Sequence, residues 1–341
     1  MLASIQLHVS RRCNIRCLHC YSHSGPEESQ ELPLDLAQQS VRDAVSEGYG
    51  NLAISGGEPL LYKPLRELLT TAKSLGMVNT VTTNGMLLDA RRLKMIDGVI
   101  DLVAISLDGA PESHNQMRNS PRAFETMVQR LPALRDSGIP FGFLFTLTQY
   151  NLHELAWVAD FALNEGARSL QIHPLEECGR ASEELVGEAP DAREKSVAFL
   201  EFLRVQSQAR DRLHVQIDLA DSVSLRDRPE RVYANTTSDD LTAEPLANLL
   251  NPLVVEIDGT VSPLQFGFPR PYALGNLHEH SLKELADVWR REGHGPFHDL
   301  CRRTFEDVTD DEGLPFVNWY EVLAHQARTL SAGSLLPVLS A

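Results

Sequence analysis

Ser4-Ile-Gln-Leu-His-Val-Ser-Arg-Arg-Cys13-Asn-Ile-Arg-Cys17-Leu-His-Cys20-Tyr21 carries the decisive information in this chain. Residues 4–9 alternate and are β-rich, so they predict a strand. Three cysteines within eight residues follow directly, in a C-x3-C-x2-C spacing. The 341-residue chain has five cysteines, the others being Cys178 and Cys301. An odd count without an export signal argues against a disulfide framework and for metal or redox chemistry. Three thiolates from one loop can hold three corners of a cubane iron–sulfur cluster, which normally takes four Cys. A zinc site with His19 or His23 as fourth ligand remains open on spacing alone, as do three reduced thiols that merely lie close. Arg11 and Arg12 can favour thiolates or be solvated charges.

Outward from this loop, β-rich runs and helical patterns alternate. Strands are predicted at 4–9, 51–55, 78–83, 102–107, 140–147 and 169–174, and helices at 34–45, 65–75, 87–96, 124–136, 152–165 and 193–211. Gly48, Gly76, Gly138 and Gly166 act as stop signals. Six β-α units imply parallel strands with right-handed crossovers, in an open sheet or a barrel. Either way, function belongs at the C-terminal ends of the strands. Beyond residue 225 the pattern changes. Residues 226–250 read as a linker, 254–263 as a hairpin about Asp258-Gly259, 281–291 as a helix N-capped by Ser281, and 317–330 as a last helix. This divides the chain into an expected barrel at 1–225 and a smaller domain at 226–341.

Composition narrows the function. Apolar residues are 43 % and charged residues 23 %, which is globular and excludes disorder. The net charge of −16 repels phosphate, so no nucleic-acid partner is expected. No apolar run approaches membrane-spanning length, and the first residues lack a basic, long apolar signal. A cytoplasmic location with no membrane partner is the expectation.

Cys13, Cys17, Cys20 and Tyr21, followed by Ser55-Gly56-Gly57-Glu58-Pro59 at the second strand end, resemble the radical S-adenosylmethionine (SAM) superfamily. The resemblance covers residues 4–211. It implies an α/β fold, a partial (β/α)6 TIM barrel, with one [4Fe–4S] cluster on the three cysteines. Its open iron would bind the amino and carboxylate groups of SAM. Reductive cleavage would give methionine and a 5′-deoxyadenosyl radical that abstracts hydrogen from a substrate C–H. Such a radical must be made beside its target in a closed mouth. Gly56 and Gly57 allow close backbone approach, Glu58 can accept from the methionine ammonium, and Pro59 stops the strand. Asn84, in the turn Thr83-Asn84-Gly85, and Ser106 and Asp108, at the fourth strand end, are SAM-contact candidates, the last two toward ribose or carboxylate. Asn-Gly and Asp-Gly also form turns unaided. Arg118, in His114-Asn-Gln-Met-Arg118, would pair with the SAM carboxylate as in peptide-modifying members. Thr146 can touch SAM or substrate, and His173 the adenine; a structural histidine is equally compatible.

Residues 255–263, 272–277 and 281–289 resemble the SPASM or twitch extension, which normally carries auxiliary clusters. A cysteine usually follows the hairpin proline; here it is Leu264. Cys178 and Cys301 alone cannot hold a cubane, so a cluster-free SPASM/twitch-like remnant is expected, which favours redox-neutral outcomes. Cys178 is the candidate hydrogen donor to a substrate radical, with Cys301 second; a small buried residue is the plainer reading of each. The acidic loop 176–194 is a solvated loop, a lid or a docking surface for a basic substrate. The resemblance implies a ribosomally made peptide substrate and a flavodoxin- or ferredoxin-type reductant; such a peptide would need a separate recognition protein or contact with the C-terminal domain. The rival readings are a small-molecule enzyme of natural-product biosynthesis (a sugar or nucleoside dehydrogenase, decarboxylase or epimerase) and a noncatalytic zinc- or cluster-binding scaffold.

Overall fold

A computed structural model describes residues 2–233, 241–310 and 315–333. Twelve strands are present among them: β1 (Ser4–His8), β2 (Asn51–Ser55), β3 (Val78–Thr83), β4 (Leu102–Ser106), β5 (Phe141–Leu147), β6 (Ser169–Pro174), β7 (His214–Ile217), β8 (Ala220–Asp221), β9 (Leu253–Val255), β10 (Thr260–Pro263), β11 (Gly275–Asn276) and β12 (Phe316–Val317). Ten form one sheet in the order β11-β10-β9-β1-β2-β3-β4-β5-β6-β7, while β8 and β12 pair separately. β1 to β7 are parallel neighbours in sequence order. Helices such as Leu34–Ser46 and Leu65–Ser74 supply the crossovers. Both have apolar residues at helical spacing buried against the sheet: Ala37, Val41 and Ala44 in one, Leu65, Leu68, Leu69 and Ala72 in the other. This is the α/β architecture expected of a partial TIM barrel.

Three differences from the sequence reading have physical causes. The single helix expected at 124–136 is two, Ala123–Val128 and Leu131–Ser137. Pro132 lacks an N–H and serves instead near the start of the second helix. The hairpin 254–263 is present, but β9 pairs in parallel with β1, Ile5 opposite Leu253 and Leu7 opposite Val255. The C-terminal segment therefore continues the barrel sheet. One apolar core runs from Ile5 and Leu7 through Leu253 and Val261 to Trp289 and Trp319, and residue 225 lies inside helix Ser222–Asp227. β9 takes the edge of β1 that would otherwise be open. The helix expected at 281–291 runs from Leu282 to Val288, passes through a π-turn at Trp289–Gly293, and continues as His294–Asp310. Gly293, Gly295 and Pro296 disguised that continuation in the sequence. Part of the expected linker, residues 234–240, lies outside the described residues, as do residues 311–314. Among those described, no helix is long and apolar enough to cross a membrane.

Candidate active site

The ends of β1 and β2 lock together before any side-chain chemistry is considered. Gly57 N donates to Ser10 O at 2.5 Å and Glu58 N to Arg12 O at 2.9 Å. A Cβ on Gly57 would stand 2.3 Å from Arg12 O, so only glycine permits the contact. The cysteine loop is clamped from the other side by the chain after β6. Arg180 N donates to Cys20 O at 2.9 Å, and the Arg180 guanidinium, almost fully buried, donates to Cys17 O at 2.5 Å and Ser24 O at 2.9 Å. Gly179, at φ 58°, lies so close that a Cβ would meet Tyr21 O at 2.3 Å. Sequence reading missed Arg180. The signal available was a lone Arg directly after Cys178-Gly179, within a loop otherwise dominated by carboxylates.

Cys13, Cys17 and Cys20 share one pocket with Ile15 and Met86. Burial pushes the Cys13 thiol up to about 12, reinforced by Glu58. Burial likewise raises Cys17, against the pull of Arg118. Arg118 Nη1 donates to Cys17 Sγ at 3.7 Å, Asn84 Nδ2 to Cys13 Sγ at 3.9 Å, and Ser24 N to Cys20 Sγ at 3.3 Å. Protein groups alone do not favour anionic sulfur at Cys13 and Cys17. A metal centre would, since it binds thiolates, and the donor set fits an iron–sulfur cluster. Among the described residues no three or more His, Cys, Asp or Glu close around a single-ion position. The two candidate fourth zinc ligands are placed elsewhere. His19 is held near neutrality, burial lowering it to about 4, with Nε2 3.8 Å from Asp108; His23 is exposed.

The sequence-predicted SAM contacts fall into two groups and one outlier. In the first group, Tyr21 Oη meets Ser55 Oγ at 2.9 Å and His8 Nδ1 at 3.4 Å, and its ring packs on His8 and Phe266. Gly56 and Gly57 form the adjoining turn, and Pro59 opens a 3-10 turn. Glu58 is completely buried. Its Oε1 accepts from Leu60 N and Thr83 Oγ1, and its Oε2 from Asn84 N at 3.0 Å. Burial raises its pKa against those donors. The carboxylate expected to face an ammonium thus also pins the β2 and β3 ends, with lone-pair capacity left on Oε2. Asn84 Nδ2 donates to Asn14 at 2.8 Å.

In the second group, Asp108 is wholly buried, with Oδ2 2.5 Å from Arg118 Nε. Burial pushes its pKa up, but Arg118, His19 and His114 outweigh that and hold it below the ordinary carboxylate range. The side chain proposed for ribose is therefore engaged by the side chain proposed for the SAM carboxylate. Thr146 contributes its backbone, donating toward Asp108 Oδ1 at 3.4 Å and accepting from Asn151 at 2.8 Å. Ser106 is buried at the end of β4. The outlier is His173, whose Nδ1 is 2.8 Å from Asp218 and Nε2 3.7 Å from Glu176. Burial alone would lower its pKa, but Asp218 and Glu176 raise it to about 9.

One cavity lies beside this mouth and a second at the opposite end of β1 and β9. The larger, of about 640 Å³, is lined by Glu176, Glu177 and Cys178 after β6 and by side chains of the last two helices. Cys178 lies within electrostatic range of Cys20, and burial raises its thiol to about 12. The smaller, of about 210 Å³, holds Leu264, His294, His298 and Cys301. Leu264 and Cys301 share this cavity, on the side where the SPASM resemblance would expect auxiliary ligands.

A profile of the Radical SAM superfamily matches residues 7–162, spanning the cysteine loop and every strand end just described except that of β6. Those residues form a radical SAM domain. Fe-coproporphyrin III synthase of Methanosarcina barkeri is 31 % identical over 176 residues, covering 51 % of this chain and 44 % of that protein. Sporulation killing factor maturation protein SkfB of Bacillus subtilis is 24 % identical over 289 residues, covering 84 % and 65 %. The chain thus spans about half to two thirds of the length of these radical SAM relatives. In fold it is similar to Streptococcus suis SuiB bound to S-adenosylmethionine, with TM-score 0.68, 16 % identity, and coverage of 88 % and 68 %. A structure of SuiB bound to its precursor peptide SuiA gives 0.64 at 15 % identity, covering 86 % of this chain and 66 % of that one.

Proposed function

We propose that this chain is a radical SAM enzyme that modifies a ribosomally made peptide at a C–H bond, with Cys178 as the hydrogen donor that completes a redox-neutral change such as epimerisation. The observation that carries the reading is the gathering of three thiols in one buried cluster, backed by the Gly56-Gly57 turn, with Cys178, which lines the larger cavity, in electrostatic range of Cys20. Cys13, Cys17 and Cys20 would hold one [4Fe–4S] cluster. When bound, that cluster and SAM supply the reductive cleavage that yields the 5′-deoxyadenosyl radical.

The chain's own groups set the geometry around it. Arg118 donates to Cys17 and, with Asp108, places a fixed charge pair under the pocket. Asn14, Asn84 and Glu58 hold the β3 turn against the cysteine loop. Cys178 remains a thiol at neutral pH because burial keeps its pKa near 12, so its S–H hydrogen is available. In the donor step that S–H bond breaks homolytically, a C–H bond forms on the substrate radical, and a thiyl is left on Cys178. One electron from a flavodoxin- or ferredoxin-type reductant and one proton from water restore the thiol. The peptide reading draws on SkfB, whose name is that of a maturation protein, and on SuiB, solved with a precursor peptide. The small-molecule reading draws on the 31 % identity to a porphyrin synthase and on a cavity of ligand size. A cytoplasmic location and a separate peptide-recognition protein belong to the peptide reading.

Turnover in deuterated water with peptides encoded beside the gene tests this. The expected product carries one solvent deuterium at carbon. Cys178→Ala should remove that label while 5′-deoxyadenosine still forms. A mass loss of two would replace the donor step by oxidation.

A further inference from the structure

The larger cavity says what kind of group it takes. It lies between the chain after β6, the segment following β10 and the helices His294–Asp310 and Trp319–Gly333. Its volume of about 640 Å³ is in the range of small-ligand pockets. Its polar lining is mostly acceptors. Gln265 contributes a buried amide oxygen, Oε1, with no hydrogen-bond partner. A buried carbonyl left alone costs free energy that a ligand donor would recover. Four carboxylates line the same cavity, each with one oxygen engaged; Glu177 accepts from Gly187 N at 2.7 Å through Oε1. Glu176 accepts from Asn318 at 3.1 Å through Oε1, Asp307 from Gln326 at 3.4 Å through Oδ2, and Glu321 from Lys195 at 3.0 Å through Oε2.

The cationic side of the lining is weaker. Lys195 is neutralised by Glu321 at 3.0 Å, Arg328 sits at the exposed rim, and His173, 3.7 Å from Glu176 Oε1, is shared with Asp218 at 2.8 Å. A buried acceptor beside partly free carboxylates is poorly matched to an anion, because desolvating both without compensation is expensive. It is well matched to a group that is all donors, an ammonium or a guanidinium. Cys178 forms part of the same wall, which sets such a group beside the thiol.

We infer that this cavity is the substrate site and that it binds a cationic, donor-rich group, a primary ammonium or guanidinium, on Gln265, Glu176, Asp307 and Glu321. The assignment of the bound molecule as substrate rests on the radical SAM reading; the chemistry of the cavity does not.

Equilibrium dialysis of the full chain, reconstituted with iron and sulfide, against labelled agmatine and labelled glutarate is the test. Agmatine should bind saturably and at least tenfold more tightly than glutarate. Glu176→Gln combined with Asp307→Asn should weaken agmatine at least tenfold. Circular dichroism shows whether that variant folds; if it does not, Gln265→Leu, which keeps every charge, should still weaken agmatine severalfold. Glutarate binding as tightly as agmatine, or folded variants binding agmatine as the unaltered protein does, would overturn the inference. SAM cleavage without substrate is followed in the same samples. Its absence with agmatine binding intact refutes the radical SAM reading and leaves the cation site standing. Its presence without agmatine binding does the reverse.

Discussion

The mouth formed after β1 to β4 and the hairpin of β9 and β10 belong to one sheet, with β9 directly beside β1. Their interiors differ. The mouth buries Glu58, Asp108, Asn84, Arg118 and His114 among the three thiols. The cavity beside the hairpin mixes Leu249, Leu250, Leu264 and Phe297 with Glu230, Asn248, Asn251, two histidines and a single cysteine, Cys301. Burying polar and charged groups is unfavourable unless each finds a partner. The mouth gathers three cysteines from one loop, whereas the cavity beside the hairpin holds one.

The largest break in that contrast should come from Asp108→Ala. It leaves the Arg118 guanidinium buried without its carboxylate, which typically costs about 3–5 kcal/mol, read as a lowered midpoint in urea unfolding. Gly57→Ala should come next. Its new Cβ would press on Arg12 O, an overpacking of about 1–3 kcal/mol, accompanied by reduced iron retention as the cysteine loop moves.

A smaller effect sharpens the comparison from the far side of the barrel. The His173 pKa is raised from an ordinary 6.5 to about 9. Its pairing with Asp218 therefore stabilises fully below pH 6.5, and that stabilisation is lost as pH rises through 9. The stability gap between the unaltered protein and His173→Gln should be widest below pH 6.5 and close above about 9. Its size is modest, since the imidazole is about a third exposed. Least of all, Cys301→Ala should cost ~1 kcal/mol of packing and leave the iron content unchanged. A loss of iron there would erase the distinction between the two regions.

How much of this was legible in the sequence follows the same division. Strands 51–55, 78–83 and 169–174 have their predicted bounds, because short runs of alternating burial pattern closed by turn residues are local signals. The cysteine loop and the Gly56-Gly57 turn were also local, and so was their resemblance. Partner choice was not. Nothing near Asp108 in sequence announces Arg118 as its counter-ion, or Arg180 as the clamp on Cys17 O across 163 positions. Nor does Leu253-Val-Val255 reveal that it will lie against β1. Long-range pairing is decided by which edges and charges are left unsatisfied, and local periodicity does not carry that.

Iron and acid-labile sulfide analysis after anaerobic reconstitution, on the unaltered chain and on the variant with Cys13, Cys17 and Cys20 all replaced by alanine, tests the central claim most directly. The account predicts about four irons per unaltered chain, as one cubane requires, and almost none in the variant, with dithionite-dependent 5′-deoxyadenosine formation lost alongside. Zinc in place of iron, about eight irons in the unaltered chain, or SAM cleavage surviving in the variant would contradict it.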